Sequence, residues 1–215
     1  MNSIYSIRLL IITTILVFSC KSDEKKSTST KFLEKFIESQ TGESYELPDD
    51  YALENSSAKV DYTINGKPFF DAKETFTSGV VVKSVNGFLE LYLQLHSEDG
   101  KTMMIASQKI PQDFKLPLII PFVHLDNPNE DDMVATMSAT DLSDPQFGQG
   151  FSLPYEGELT ITKMQNRLVA FEVNAKGGDY MMAQSPENWK PIKAKIELIN
   201  PIIQSMGIEK SKIFK

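Results

Sequence analysis

Few side chains in this sequence could do chemistry, and their spacing limits which chemistry is open. Cys20 is the only cysteine. With no second thiol it cannot close an intramolecular disulfide, so in an exported chain it needs another use. His96 and His124 are the only histidines. Zinc would require Asp or Glu ligands beside them, and no such spacing is present. His96 reads instead as a turn residue after a leucine-rich strand. The densest run of oxygen donors holds Asp126, Asn129, Glu130, Asp131 and Asp132. It is a weak calcium candidate, since Ca²⁺ takes about six to eight oxygens. EF-hand spacing and its glycine are missing, and Pro128 stiffens the run, so a solvated acidic loop is the simpler reading. No metal site is expected.

The motifs of nucleophilic catalysis are missing too. There is no G-x-S-x-G, no S-x-x-K with its companion motifs, and no histidine in a triad context. Gly148 and Gly150 lack the following helix that a phosphate loop needs. Asp141 and Asp144 read as turn formers. Two carboxylates juxtaposed on a β-sandwich would still permit glycan hydrolysis. The leading expectation is a chain with no catalytic residue and no cofactor. Aromatic residues are the better binding candidates. Phe147, Phe151 and Tyr155 fall in a loop rich in Gly, Gln and Pro, and Tyr180 and Trp189 flank another. On sandwich loops they could stack on a sugar or hold an apolar ligand. The competing reading is that they cover the ends of the core.

Charge narrows the partners. The net charge of −7 comes with Lys and Arg scattered among acids, and the longest basic cluster is Lys25–Lys26. Nucleic acid, which needs a basic face, is not expected.

The N-terminus has one charge, Arg8, before an apolar run from Leu9 to Phe18. That run is shorter than the roughly 20 apolar residues that span a bilayer, and it reads as a secretory signal. Val17-Phe18-Ser19-Cys20 then resembles the signal of a bacterial lipoprotein. In that family the cysteine becomes the new N-terminus, takes a diacylglycerol on sulfur, and is usually N-acylated. The resemblance implies cleavage after Ser19, with Val17, Phe18 and Ser19 read by the peptidase, and lipidation of Cys20. Phe18 and Val17 depart from the family's usual small residue and leucine. The polar stretch Lys21–Lys26 is similar to the export signal of Bacteroidetes surface lipoproteins. It implies an exported protein anchored in the cell envelope, at the outer membrane, with either face open.

These residues need elements to hold them. Residues 1–19 read as signal peptide, and 20–31 as lipidated cysteine and tether. Residues 32–215 read as one domain, an ordinary size for a chain that is 41% hydrophobic. Phe32, Leu33, Phe36 and Ile37 predict a short helix, capped by Thr30 and ended by Gly42. From Val60 the apolar period becomes two. Asn65-Gly66, Asn86-Gly87 and Asp99-Gly100 mark tight turns of an antiparallel meander. Leu118–Ile120, between Pro117 and Pro121, suits an edge strand or buried loop. Gly157–Lys163 and Leu168–Ala175 predict a further hairpin. Near the C-terminus, Ile192, Ala194, Ile196 and Leu198 fit a strand. Trp189, Ile192, Ile196, Ile199, Ile203 and Met206 fit helical spacing, and two short helices are the expectation there.

The fold expected is therefore mainly β, an antiparallel β-sandwich with a short N-terminal helix and a C-terminal helical segment. The stretches Tyr62–Phe69 and Gly157–Lys163 are similar to Bacteroidetes lipoprotein domains thought to be sandwiches. The functional expectation is a lipid-anchored, non-catalytic binding or interaction module. Its partners would be the membrane, through lipid, and a protein or glycan. The alternatives are an envelope glycan hydrolase with paired carboxylates and a structural accessory of an envelope complex.

Overall fold

A computed structural model describes residues 27–47, 56–122, 132–141 and 151–215. Helix α1 (Thr28–Thr41) leads into β1 (Ser57–Ile64), β2 (Lys67–Pro68), β3 (Thr77–Val85), β4 (Phe88–His96) and β5 (Lys101–Pro111). Then come β6 (Leu118–Phe122), β7 (Val134–Asp141), β8 (Phe151–Gln165) and β9 (Leu168–Gly178). Two single-turn 3₁₀ segments, Tyr180–Met182 and Pro186–Asn188, precede β10 (Lys190–Ile199), β11 (Ile202–Met206) and the short α2 (Lys210–Ile213).

The fold is mainly β, as the alternation predicts. The strands form one sheet in the order β11-β3-β4-β5-β7-β6-β8-β9-β10-β1-β2. The sheet curls until its ends meet. Ala58 of β1 bridges Phe76, just before β3, and its N–H donates to the Phe76 carbonyl at 3.1 Å. The two halves pack face to face in a sandwich-like way around one core. Val80, Val82, Leu91, Leu93, Ile161, Phe171, Ile196 and Leu198 all point into it. A space between Leu91, Ile110, Leu118, Met164 and Ile213 has room for about one water.

The tight turns follow from residue type. Asn65 and Gly66 have φ of 52° and 73°, and Asn86 and Gly87 have 51° and 84°. Positive φ at both central positions matches the right-handed twist of the flanking strands, and Asn-Gly tolerates it best. Helix α1 is capped by Ser27, not Thr30: the Ser27 hydroxyl accepts from the Thr30 N–H at 3.1 Å. Gly42 ends it at φ 73°, its N–H donating to the Glu38 carbonyl at 2.8 Å.

Three expectations change. β6 is not at the edge of the sheet: it pairs with β8 over Leu118–Phe122. Its other side meets β7 only at Phe122–Ala135, which leaves Pro121 no ladder bond to break. β8 begins at Phe151, so Tyr155 belongs to a strand and not a loop. The expected C-terminal helices over Trp189–Met206 are strands. β10 is antiparallel to β1 and β9, and β11 is parallel to β3. Ile192, Ala194, Ile196 and Leu198 are buried, while Lys193 and Lys195 are exposed. Two sheet neighbours satisfied the period-two pattern, and the helical spacing was coincidental. The C-terminal helical segment lies later, at Lys210–Ile213, where Ile213 and Phe214 enter the core.

Candidate functional site

In an up-and-down sheet, alternate connections share an end. The β4–β5 turn, the β1–β2 turn and the β9–β10 connection lie at one end, and the β3–β4 and β8–β9 turns lie at the other. The first end gathers the described aromatic candidates.

Tyr155 stands on β8, which β9 pairs along nearly its whole length. Its ring is buried, 2% exposed, and its phenol donates to the Asp179 carbonyl at 2.6 Å. Burial, with the Asp179 charge behind it, pushes the phenol up to about 12. Tyr155 is therefore a support rather than an exposed ligand contact. Trp189 lies against it, ring centroids 5.3 Å apart and tilted. The Trp189 indole N–H donates to the Met182 carbonyl at 2.8 Å, and the ring is half-buried. Between these two, the Asp179 carboxylate accepts from the N–H groups of Met181 and Met182 at 2.9 and 3.2 Å. The turn Tyr180–Met182 is thus tied at its start and braced from beneath. Gly178 makes room for it, since a Cβ there would lie 2.6 Å from the Met182 sulfur.

The tip of this construction faces outward. Tyr180 is 61% exposed and Met181 is 86% exposed. The result is a fixed apolar and aromatic foot at one end of the sheet. Its chemistry is that of contact: stacking, apolar burial and one phenol hydroxyl.

Other candidates fall elsewhere. Val17, Phe18, Ser19, Cys20, Asp126, Asn129, Glu130, Asp131 and Phe147 lie outside the described residues. Phe151 opens β8, and only its backbone is described. Asp132 is exposed. Among the described residues no group of three or more His, Cys, Asp or Glu could hold a metal. No helix among them is long and apolar enough to cross a membrane.

The sequence reading missed the role of His96. It is the last residue of β4, on the outer face of the sheet, and α1 covers it. The ring stacks on Phe32 at 3.9 Å and is 3% exposed, with neither ring nitrogen hydrogen-bonded. Burial lowers its pKa below the ordinary histidine value, and the Glu98 charge works against that shift. Glu98 in turn accepts from the Ser29 N–H at 3.2 Å, at the start of α1. Hydrogen bonds from Ser29 and Ser27 lower its carboxyl pKa, and the helix N-terminus favours the negative charge. The strand register, in which His96 continues the outward positions of Tyr92 and Gln94, was readable; the stacking partner on α1 was not.

No protein-family model matches the chain, and no curated protein or solved structure shows significant similarity to it.

Proposed function

We propose that the chain is a lipid-anchored protein of the cell envelope that works as a non-catalytic interaction module, with the Tyr180–Trp189 end as its contact surface. The observation that carries this reading is the foot itself. Tyr180 and Met181 project from a turn held by Asp179, Tyr155 and Trp189, on a sheet packed around a large apolar core. Binding surfaces are commonly built this way, with apolar side chains displayed on a loop that a rigid sheet positions. The anchor rests on Cys20 and its neighbours in the sequence. Two or three acyl chains give stable attachment, because each buried methylene adds about 0.8 kcal/mol.

The test of the anchor is Cys20→Ala. Membrane fractionation is expected to move the variant into the soluble fraction. Mass spectrometry of the wild type is expected to find an acylated N-terminal cysteine. A Cys20→Ala chain that stays with the membrane, together with an unmodified wild type, defeats the reading.

A further inference from the structure

We infer that the partner of the Tyr180–Met181 foot is the lipid bilayer itself, so that the protein stands on the membrane at two points, its anchor and this turn. The inference rests on the lipid anchor proposed above.

The first argument is where the tether leaves the fold. Helix α1 starts at the β4–β5 turn, where the Ser29 N–H donates to Glu98. It then packs on β3 and β4, with Leu33 and Phe36 over Gly79 and in one apolar cluster with Val81 and Ile202. Its start therefore lies at the same end of the sheet as the β9–β10 connection that carries the foot. The two sit on opposite rims of that end, since β7, β6 and β8 separate β5 from β9 in the sheet.

The second argument is reach. Six residues lie between Cys20 and the helix cap Ser27, and the seven steps from one to the other span about 25 Å at most. β9 alone has 11 residues, about 36 Å of strand. A tether this short, leaving from this end, holds this end at the bilayer and keeps the opposite end away.

The third argument is the chemistry of the surface. Tyr180, Met181 and Trp189 are the mixture that suits a membrane interface, apolar bodies with a polar edge. Lys176 and Lys190, which flank the foot in the β9–β10 ladder, are exposed and suit lipid phosphates. Among the described residues, acids beside the foot include Asp179, whose carboxylate is engaged by the turn, Glu187, and Glu156 beside Lys176 in the β8–β9 ladder.

Trp189 is the only tryptophan, so its fluorescence reports on this site alone. The full chain carrying its lipid is reconstituted into vesicles of phosphatidylethanolamine and phosphatidylglycerol, with plain or brominated acyl chains. Bromine quenches indole only at short range. The expected result is a loss of Trp189 emission in brominated vesicles, together with a blue shift. In the double variant Tyr180→Asp, Met181→Asp that quenching is lost, while flotation with the vesicles and the near-ultraviolet circular dichroism remain. Equal emission in the two kinds of vesicle, from a chain that floats and carries lipid, overturns the inference and leaves the anchor standing. A chain without lipid that still binds vesicles and is quenched overturns the anchor and supports the foot. A chain without lipid that stays in solution overturns both.

Discussion

The sheet's outer surface divides into two halves that differ in what covers them. Across β1, β10 and β9, Asp61, Lys195 and Glu172 stand side by side, with Lys59 opposite Glu197, and all but the half-buried Glu197 are exposed. Such rows of alternating charge stabilise a sheet modestly and keep it wet. Across β3, β4, β5 and β7 the outer positions include Val81, Gln94, His96, Thr102, Ser138 and Thr140, and every one is buried. Val81 belongs to a second apolar cluster, with Leu33, Phe36, Ile37 and Ile202. One sheet therefore has a single core inside and a second core outside, on half its circumference only. Helix α1 is part of what the second half is built to hold, while the first half is finished as it stands.

Removing the helix contact should have the largest effect. Phe36 is 3% exposed within the outer cluster. Phe36→Ala is expected to lower stability by about 3–5 kcal/mol in urea unfolding. A change below about 1 kcal/mol would mean that α1 unfolds separately from the sheet.

Acid should act on the same half, more weakly. The folded-state pKa of His96 lies below the unfolded value of 6.5, so the unfolded chain binds the proton more readily. The stabilising preference for neutral His96 is complete above about pH 6.5 and fades as pH falls through the folded pKa. Glu98 works against this. His96→Phe keeps a ring against Phe32 and should flatten the pH dependence in that window. If wild type and variant lose stability in parallel between neutral and mildly acidic pH, the stacked histidine is not the titrating group.

The smallest effect belongs to the other half. Lys195→Ala removes an exposed charge between Asp61 and Glu172 and is expected to change stability by no more than about 0.5 kcal/mol, less at high salt. A loss above about 1 kcal/mol would show that this ladder is more than a solvated face.

The same division explains what the sequence made legible. Strand alternation was plain in Leu89, Leu91, Leu93 and Leu95, because Glu90, Tyr92 and Gln94 between them differ sharply in polarity. It was legible too in Asn65-Gly66 and Asn86-Gly87, whose turn geometry is a local property of two residues. It failed at Trp189–Met206, where Ile192, Ala194, Ile196 and Leu198 fit a period of two while Ile192, Ile196, Ile199 and Ile203 fit spacings of three and four, and only the pairing with β1, β9 and β3 decided between them. Tyr155 looked like a loop aromatic because Pro154 and the glycines around it read as punctuation. Its burial depends on Asp179 and Trp189, which are distant in the chain. Tyr180 could be read either as exposed or as covering the end of the core, and Met181 and Met182 beside it gave no polarity contrast to decide between them. The stacking of His96 on Phe32 joins two segments more than sixty residues apart, a contact that no local pattern encodes.

The bend at Asn200-Pro201 has a consequence in time. β10 and β11 run in one direction on either side of it, β10 completing the pairing of β1 and β11 covering the edge of β3. Two of the earliest strands thus wait for two of the latest, and Phe214 must arrive before the core is closed. Contacts of such long sequence separation form slowly, because a large loop must be ordered before they give any return. A chain synthesised only as far as Gly178 lacks the β10 ladder that pairs all of β1, and has nothing on the outer edge of β3. Such a chain cannot complete its sheet until nearly all of it has been made.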